Sequence, residues 1–252
     1  MVSTTMATSG RGERFVGDTR ERLVDDALIR CPYLRHQIAR LPLRLPVRPL
    51  SGDALARRLR AGDRRQGVFL YRPTCPSCHA CEAIRIEVES FAPNKTQRRI
   101  FRRGEARLRT QLARPTITPE KVALYNRHKV ERGLRIGDEP TGAAAYQQFL
   151  VDSCTDTIEL TYRMEGTLVG VAIADRAADA LSAVYCYYDP AAASLSPGVY
   201  SILKQLALCR TWGLRYLYLG LYIADCPAMA YKARYLPHER LVGGVWRRFD
   251  RE

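Results

Sequence analysis

TIELTYRMEGTLVGVAIAD occupies residues 157–175 and decides the fold of the second half of the chain. Residues 157–164 alternate between apolar and polar side chains, as a half-buried strand does, and Glu165 and Gly166 supply a tight turn. Residues 167–175 return as a second strand, and residues 180–188 supply a third. The sequence therefore predicts an antiparallel meander of three strands.

The next residues add a helix and a further strand. Residues 199–212 repeat apolar side chains at helical spacing, and Gly213 ends the helix. Residues 216–222, YLYLGLY, then have the composition of a fully buried strand. The order of three strands, helix and strand, with a glycine-containing turn before the helix, fits the plan of GNAT acyltransferases. We therefore expect an α+β fold with a GNAT-like acyltransferase domain.

Composition and charge bound the class of protein. The 252 residues are 46% apolar and 26% charged, which is ordinary for a folded domain. The net charge of +14 favours a polyanionic partner, nucleic acid before membrane. Apolar runs are too short to cross a bilayer, and the polar first thirty residues lack the apolar core of a secretion signal. We expect a cytoplasmic protein with no membrane partner.

The chain divides by character into three parts. Residues 1–30 are expected to be a disordered or extended lead-in. Residues 31–112, rich in arginine and proline, are expected to form a smaller cysteine-bearing domain, and residues 113–252 the GNAT-like domain. Helices are predicted in four further places, namely 52–60, the segment after Asn94, 119–133 and 141–152.

CPSCHAC, residues 75–81, contains a C-x2-C-x2-C run that could turn several thiolates toward one metal ion. Cys75, Cys78 and Cys81 are the candidate ligands, and Cys31 could complete a set of four. Zinc and an iron-sulfur cluster both fit this spacing, and His79 could replace one sulfur. Ordinary reduced thiols, and redox or haem chemistry, remain alternatives. The other cysteines are expected to be small apolar residues, at positions 154, 186, 209 and 226.

Residues 94–109, NKTQRRIFRRGEARLR, predict a strongly basic helix that begins at the N-cap Asn94. Its cations greatly outnumber its single glutamate, which is unusual for a helix face laced with salt bridges. The favoured interpretation is that this helix face binds successive phosphates of a nucleic acid, and the alternative is that it is only a solvated surface. The predicted RNA contacts are Lys95, Arg98, Arg99, Arg102 and Arg103.

Two long motifs carry a resemblance to a known family. They are YRPTCPSCHACEAIRIEVESFAPNKTQRRIFRR at 71–103 and GLYIADCPAMAYKARYLP at 220–237. With CPYL at 31–34 and LRAGDRRQGVFLYRP at 59–73, they resemble the bacterial aspartate/glutamate leucyltransferases, within the wider arginyl-tRNA-protein transferase superfamily. The resemblance implies transfer of leucine from leucyl-tRNA to the N-terminal amine of proteins that begin with Asp or Glu, which marks them for degradation. It also implies a GNAT-like domain joined to a cysteine-bearing one.

Such an acceptor requires cations for its carboxylate. The candidates are Lys232 and Arg234, after the buried strand, and Arg72, beside the cysteine group. The candidate catalytic residues Tyr222 and Asp225 lie just past the end of that strand, although Asp225 could instead cap the next helix.

Tyr185, Tyr187 and Tyr188 alternate along the third predicted strand, so that one face could line the cleft. Tyr187 is the predicted substrate contact among them, and core packing is the competing role for at least one of the three.

Three rival functions remain open. Arginyl-tRNA could be the donor, because CPAM is more typical of the arginyl branch. A coenzyme A-dependent acetyltransferase is disfavoured because LSPGVY, residues 195–200, is a poor match to a pyrophosphate-binding loop, and no coenzyme A is expected. An RNA-binding metal protein without enzymatic activity would explain the basic helix and the cysteines alone.

Overall fold

The computed structural model describes residues 13–16, 19–133 and 139–250. Its helices are α1 (Gly52–Arg60), α2 (Lys95–Arg107), α3 (Pro119–Glu131), α4 (Ala143–Tyr146), α5 (Pro197–Thr211) and α6 (Pro227–Ala230). A π-helical turn, Gln147–Val151, continues α4, and 3₁₀ turns cover Pro190–Leu195 and Tyr231–Arg234. Its strands are β1 (Glu13–Val16), β2 (Thr19–Asp25), β3 (Leu28–Arg30), β4 (Ile38–Arg40), β5 (Leu43–Pro46), β6 (Arg64–Gln66), β7 (Phe69–Tyr71), β8 (Glu82–Glu87), β9 (Arg109–Ala113), β10 (Thr157–Met164), β11 (Thr167–Arg176), β12 (Ala180–Tyr188), β13 (Tyr216–Tyr222), β14 (His238–Val242) and β15 (Val245–Phe249).

An eight-stranded sheet in the order β15-β14-β8-β13-β12-β11-β10-β9 is the centre of the protein. The predicted meander is confirmed as β10, β11 and β12, which pair antiparallel. The predicted helix and the following buried strand are confirmed as α5 and β13, and β13 returns parallel to β12. The chain is therefore α+β, as expected.

Residues 82–113 contribute two strands to this central sheet. Strand β8 lies between β13 and β14, and β9 forms the sheet edge beside β10. The expected division after residue 112 falls inside β9. Sheet topology thus does not separate 31–112 from 113–252, because strand pairing is nonlocal and joins both segments.

The helices cover both faces of the central sheet. On one face α2 and α5 bury Ile84 and Leu217, which are fully excluded from solvent. The opposite face packs Val171 and Ile173 against α3 and α4. Gly104 of α2 lets the two helices of the first face approach closely, since a Cβ at this position would lie 2.1 Å from the ring of Tyr200 in α5.

Strands from the first part of the chain form a second, five-stranded sheet in the order β1-β2-β5-β7-β6. Part of the expected lead-in, residues 1–30, therefore forms strands, and residues 1–12 lie outside the described residues. Arg65 of β6 forms a buried ion pair of 2.7 Å with Asp175 of β11. This pair ties the smaller sheet to the central one. No helix among the described residues is long and apolar enough to cross a bilayer.

The parallel strands β12 and β13 separate after a short stretch of pairing. They are in register only from Ala180 opposite Tyr216 to Ser182 opposite Tyr218. Beyond this point β12 continues beside β11, and β13 continues beside β8 with an irregular register. The central sheet therefore opens between the C-terminal halves of β12 and β13, which we call the strand opening.

Candidate functional site

Lys232 is a buried amine next to the strand opening. Its Nζ donates a hydrogen bond of 2.6 Å to the carbonyl of Leu221 and lies 3.1 Å from Sδ of Met229. Burial and, to a smaller extent, the nearby guanidinium of Arg64 lower the pKa of Lys232 to about 7. Burial and the neighbouring cation thus outweigh the opposite effect of the nearby Cys226, which raises this pKa.

Arg64 of β6 is a second buried cation at the same place. A Cβ added to Gly220 would lie 3.4 Å from Nη2 of Arg64 and 3.5 Å from Nζ of Lys232, so both cations face one backbone position. Gly220 has φ of +88°, which favours glycine and keeps this position free of a side chain. Burial lowers the pKa of Arg64 as well.

Neither cation has a carboxylate partner among the described residues. Among the described residues, the buried Nη1 of Arg64 makes no hydrogen bond and neither Arg64 nor Lys232 forms an ion pair, although Asp175 is near enough to raise the pKa of Arg64. Buried charges in proteins are ordinarily paired, because an unpaired one costs several kcal/mol of solvation. Two unpaired buried cations side by side are therefore suited to bind an anion. We call Arg64 and Lys232 the anion site.

The two candidate catalytic residues lie at the end of β13. Tyr222 is half-buried, and the guanidinium of Arg240 lies 4.5 Å from its ring centroid. Asp225 is exposed and precedes α6. The N-cap residue of α6 is Cys226, and no side-chain hydrogen bond caps this end of the helix. The alternative that Asp225 caps this helix is thus not observed, and its carboxylate is left available to a ligand.

The other predicted substrate contacts do not belong to the anion site. Tyr187 is fully buried in the sheet, where its hydroxyl shares a 2.5 Å hydrogen bond with Tyr146, so it packs in the core. Arg72 is exposed and is held by the carboxylate of Asp63 at 3.3 Å. Arg234 is exposed in the 3₁₀ turn that also contains Lys232, and its backbone carbonyl accepts a hydrogen bond from Gln97 of α2.

The predicted cysteine ligands gather around Cys81. Burial, followed by the neighbouring thiols of Cys31, Cys75, Cys78 and Cys226, raises the pKa of Cys81 to about 12. All five are half-buried, and the backbone N–H of Leu34 donates to Sγ of Cys31 at 3.4 Å.

This donor set is chemically suited to a soft metal, but within the described residues no three such groups are close enough to hold one. Metal binding remains a prediction from the sequence.

Cys226 differs in its position from the other cysteines outside the predicted set of ligands. Cys154 and Cys209 are buried as small apolar residues, as expected. Cys226 instead lies near enough to Cys81 and to Lys232 to raise the pKa of both. It therefore lies near both the cysteine group and the anion site.

The basic helix is confirmed as α2, with a complete capping box between Asn94 and Gln97. Ile100 is buried and Phe101 is half-buried, as the spacing predicted. Every predicted RNA contact is exposed, namely Lys95, Arg98, Arg99, Arg102 and Arg103. The helix thus presents an almost uniformly positive face to solvent.

Comparison with known proteins identifies the family. Residues 29–99 match the model for the N terminus of arginine-tRNA-protein transferase, and residues 120–242 match the model for its C terminus. The chain belongs to the arginine-tRNA-protein transferase family. This transferase is 39% identical over 216 residues to the aspartate/glutamate leucyltransferase of Chromobacterium violaceum, covering 86% of this chain and 89% of the relative.

The similarity extends to other bacteria. The transferase is 38% identical over 220 residues to the aspartate/glutamate leucyltransferase of Thiobacillus denitrificans, covering 87% of this chain and 91% of the relative. Among solved structures, FemX aligns with a TM-score of 0.43 at 10% identity, covering 84% of this chain and 79% of that chain. That structural likeness is too weak to establish a shared fold.

Sequence reasoning missed Arg64 and the position of Cys226. Arg64 lies within LRAGDRRQGVFLYRP, a motif used for the resemblance, but nothing in the motif distinguishes it from the neighbouring Arg60 and Arg65. Only the fold shows that Arg65 forms an ion pair with Asp175, whereas Arg64 forms none among the described residues.

Proposed function

We propose that this transferase moves leucine from leucyl-tRNA to the N-terminal amine of proteins that begin with Asp or Glu. The anion site is the observation that carries the proposal, because its two cations match the side-chain carboxylate of such an acceptor. An arriving carboxylate would pair with both cations in a site from which water is largely excluded. Family membership and the names of the relatives support the same reaction.

The reaction requires positioning more than strong base catalysis. An N-terminal amine has an unperturbed pKa of about 7.7 to 8.0, so a useful fraction is already neutral near neutral pH. The amine nitrogen attacks the carbonyl carbon of the aminoacyl ester, a C–N bond forms, and the ester C–O bond to the tRNA ribose breaks. The amine loses one proton and the ribose oxygen gains one. Holding the amine and the ester together can provide a large part of the rate.

The elements around the strand opening fit these roles. Binding of the acceptor carboxylate at Arg64 and Lys232 would place its amine near the end of β13, where Tyr222 and Asp225 lie. The carboxylate of Asp225 is suited to orient the amine, and the hydroxyl of Tyr222 to donate a hydrogen bond to the developing oxyanion. The exposed Arg234 would add positive charge at the entrance.

The cationic face of α2 supplies the surface for tRNA. Arginine side chains bind phosphates through paired hydrogen bonds, and α2 presents several of them without acidic neighbours in its first turn. The N-terminal part of α2 touches the loop of the anion site through the bond from Gln97 to the carbonyl of Arg234. Bound tRNA would therefore lie close to the acceptor.

The GNAT-like plan and the cytoplasmic location are part of this proposal. The parallel pair β12 and β13, which opens after three residues of register, supports a GNAT-like acyltransferase arrangement. A reaction that consumes aminoacyl-tRNA belongs where tRNA is charged, which is the cytoplasm.

A transfer assay tests the donor and the acceptor together. Purified protein is incubated with radiolabelled leucyl-tRNA or arginyl-tRNA and with peptides that begin with Asp, Glu or Ala. We expect leucine to appear on the Asp and Glu peptides and not on the Ala peptide. Arginine transfer would instead support the arginyl alternative, and tRNA binding without transfer to any peptide would refute the enzymatic assignment in favour of an RNA-binding protein.

A further inference from the structure

A pocket of about 440 Å³ lies between α2 and α5. It shares no lining residue with the anion site, with the end of β13 or with the cysteine group. The two helices beside the pocket approach each other closely at Gly104, where the ring of Tyr200 occupies the space that a side chain would need. Of the pocket's ten lining residues, none is acidic.

The floor of this pocket is apolar and rigid. Phe91, Leu203 and Leu206 are nearly fully buried beneath it. The ring of Phe101 also lines the pocket and is stacked on Tyr200, with 6.0 Å between ring centroids and 27° between ring planes. The half-buried ring of Phe101 is thus the main aromatic surface that a flat ligand in this pocket can reach, because Phe91 is only 3% exposed.

The rim of the pocket is cationic and partly held in place. Lys95, Arg98 and Arg102 contribute from α2, and Arg210 contributes from α5. Nη1 of Arg98 donates to the carbonyl of Pro93 at 2.6 Å, and Nη2 of Arg210 donates to the carbonyl of Phe91 at 2.6 Å. Two guanidinium groups are thereby oriented before any ligand arrives, and their remaining N–H groups can bind phosphate oxygens.

We propose that the pocket between α2 and α5 binds one unpaired nucleotide of an RNA, with the base on the apolar floor and its phosphate at the cationic rim. A base has two apolar faces and stacks on aromatic side chains, whereas its phosphate requires cations. The volume is within the range of small-molecule sites. A paired base is held inside a duplex and cannot enter, so the pocket selects a single-stranded or extruded nucleotide.

This inference rests on the proposed function, which makes tRNA the RNA that reaches α2. It goes further because phosphate contacts along a helix hold any RNA, whereas a base pocket binds one unpaired position and fixes the register of the tRNA. An acidic peptide is the competing occupant. It is disfavoured because an extended peptide would leave its backbone polar groups unpaired on the apolar floor.

Filling the pocket without changing any charge tests the proposal. Ala207 lines the pocket from α5 and is half-buried, so the Ala207→Phe variant places a ring where the base would lie. The probe is a fluorescent single-stranded trinucleotide, compared with its abasic analogue and with inorganic phosphate. We expect the variant to weaken trinucleotide binding by roughly tenfold to a hundredfold, as the loss of one stacked base does, and to leave abasic binding unchanged.

A matched pair of variants keeps the test decisive if Ala207→Phe folds poorly. Arg102 lines the pocket and Arg103 does not, although both are exposed on α2. Each change to alanine removes one positive charge. We expect Arg102→Ala to weaken trinucleotide binding at least several-fold more than Arg103→Ala does. Equal losses, equal binding of the abasic analogue, or tighter binding of an acidic peptide would each overturn the pocket assignment.

Failure of the pocket and failure of the proposed function give different results. If the pocket is wrong, wild-type protein still transfers leucine, and Ala207→Phe has an unchanged KM for leucyl-tRNA. If the pocket is right, that KM rises while the KM for the acceptor peptide stays constant. Absence of transfer by wild-type protein would refute the function, and trinucleotide binding would still report on the pocket.

Discussion

Replacing Lys232 with methionine should stabilise the folded protein, and most strongly at low pH. The amine is charged below its folded pKa of about 7, and it is 8% exposed in a site without a carboxylate partner. One pKa unit corresponds to about 1.4 kcal/mol, so lowering the pKa from 10.5 to about 7 costs the folded state roughly 4 to 5 kcal/mol while the amine is charged. Methionine has a similar length and carries no charge to bury.

The pH dependence follows from proton linkage. Between about pH 7 and pH 10.5 the unfolded state binds more protons at Lys232 than the folded state does, so the stability contributed by this group rises with pH. From about pH 6 to about pH 9 roughly 3 kcal/mol of the cost is removed in the wild type. The advantage of Lys232→Met should therefore shrink by about that amount over the same range.

Urea denaturation of both proteins at the two pH values measures this difference. Lys95→Met serves as the control, because Lys95 is exposed at the start of α2 and should show no such trend. A stability difference between Lys232→Met and wild type that stays constant from pH 6 to pH 9 would refute the buried, uncompensated amine.

Three further predictions concern the cysteine group, the tRNA surface and the helix contact. Cys78→Ser should lower the bound metal per chain in elemental analysis and reduce the melting temperature, and an unchanged metal content would count against the ligand assignment. Arg98→Glu combined with Arg102→Glu should raise the KM for leucyl-tRNA at least tenfold, because phosphate contacts are lost, and should barely change the KM for peptide. Each lost phosphate contact should also flatten the salt dependence of binding. Equal changes in both KM values would contradict a tRNA contact. Gly104→Ala should destabilise the protein by about 1 to 3 kcal/mol in urea denaturation, because its Cβ would overlap the ring of Tyr200, and wild-type stability would show that α2 and α5 pack less closely.

The helices and strands that can be predicted from the sequence are those marked by patterns among neighbouring residues. Alternation along residues 157–164 and the turn at Glu165 and Gly166 fix β10 and β11, and apolar spacing fixes α5. Asn94 and Thr118 mark the starts of α2 and α3 because both side chains cap the first turn. These features depend on neighbouring residues and are visible in the sequence alone.

The arrangement of distant segments was not predictable in this way. Strand β8 enters the central sheet between β13 and β14, which follow it by more than a hundred residues, and no local pattern encodes that pairing. The division after residue 112 was placed by composition, which does not report strand pairing. The position of β8 inside the central sheet therefore cannot be predicted from composition.

The sequence predicts only part of the candidate site, because some of its residues come from distant segments. Lys232, Tyr222 and Asp225 were identified from a motif that is contiguous in sequence, and the structure places them around the end of β13. The roles of Arg64 and Cys226 depend on burial and on partners from other segments. Tyr187 was expected at the cleft from strand alternation, which identifies a shared face but does not tell whether that face meets solvent or core.

Discrimination between Asp and Asn at the acceptor N-terminus tests the central claim most directly. The two side chains have nearly the same shape and differ in charge, so the ratio of their kcat/KM values with leucyl-tRNA reports recognition of the carboxylate. Because both peptides are tested with the same protein sample, a reduced folded fraction cancels from the ratio. We predict that wild type favours Asp strongly and that Arg64→Gln and Lys232→Met each lower the Asp/Asn ratio by roughly tenfold to a hundredfold, as expected for a lost hydrogen bond to a charged group. An unchanged ratio in both variants would contradict the assignment of Arg64 and Lys232 as the site that selects acidic N-termini.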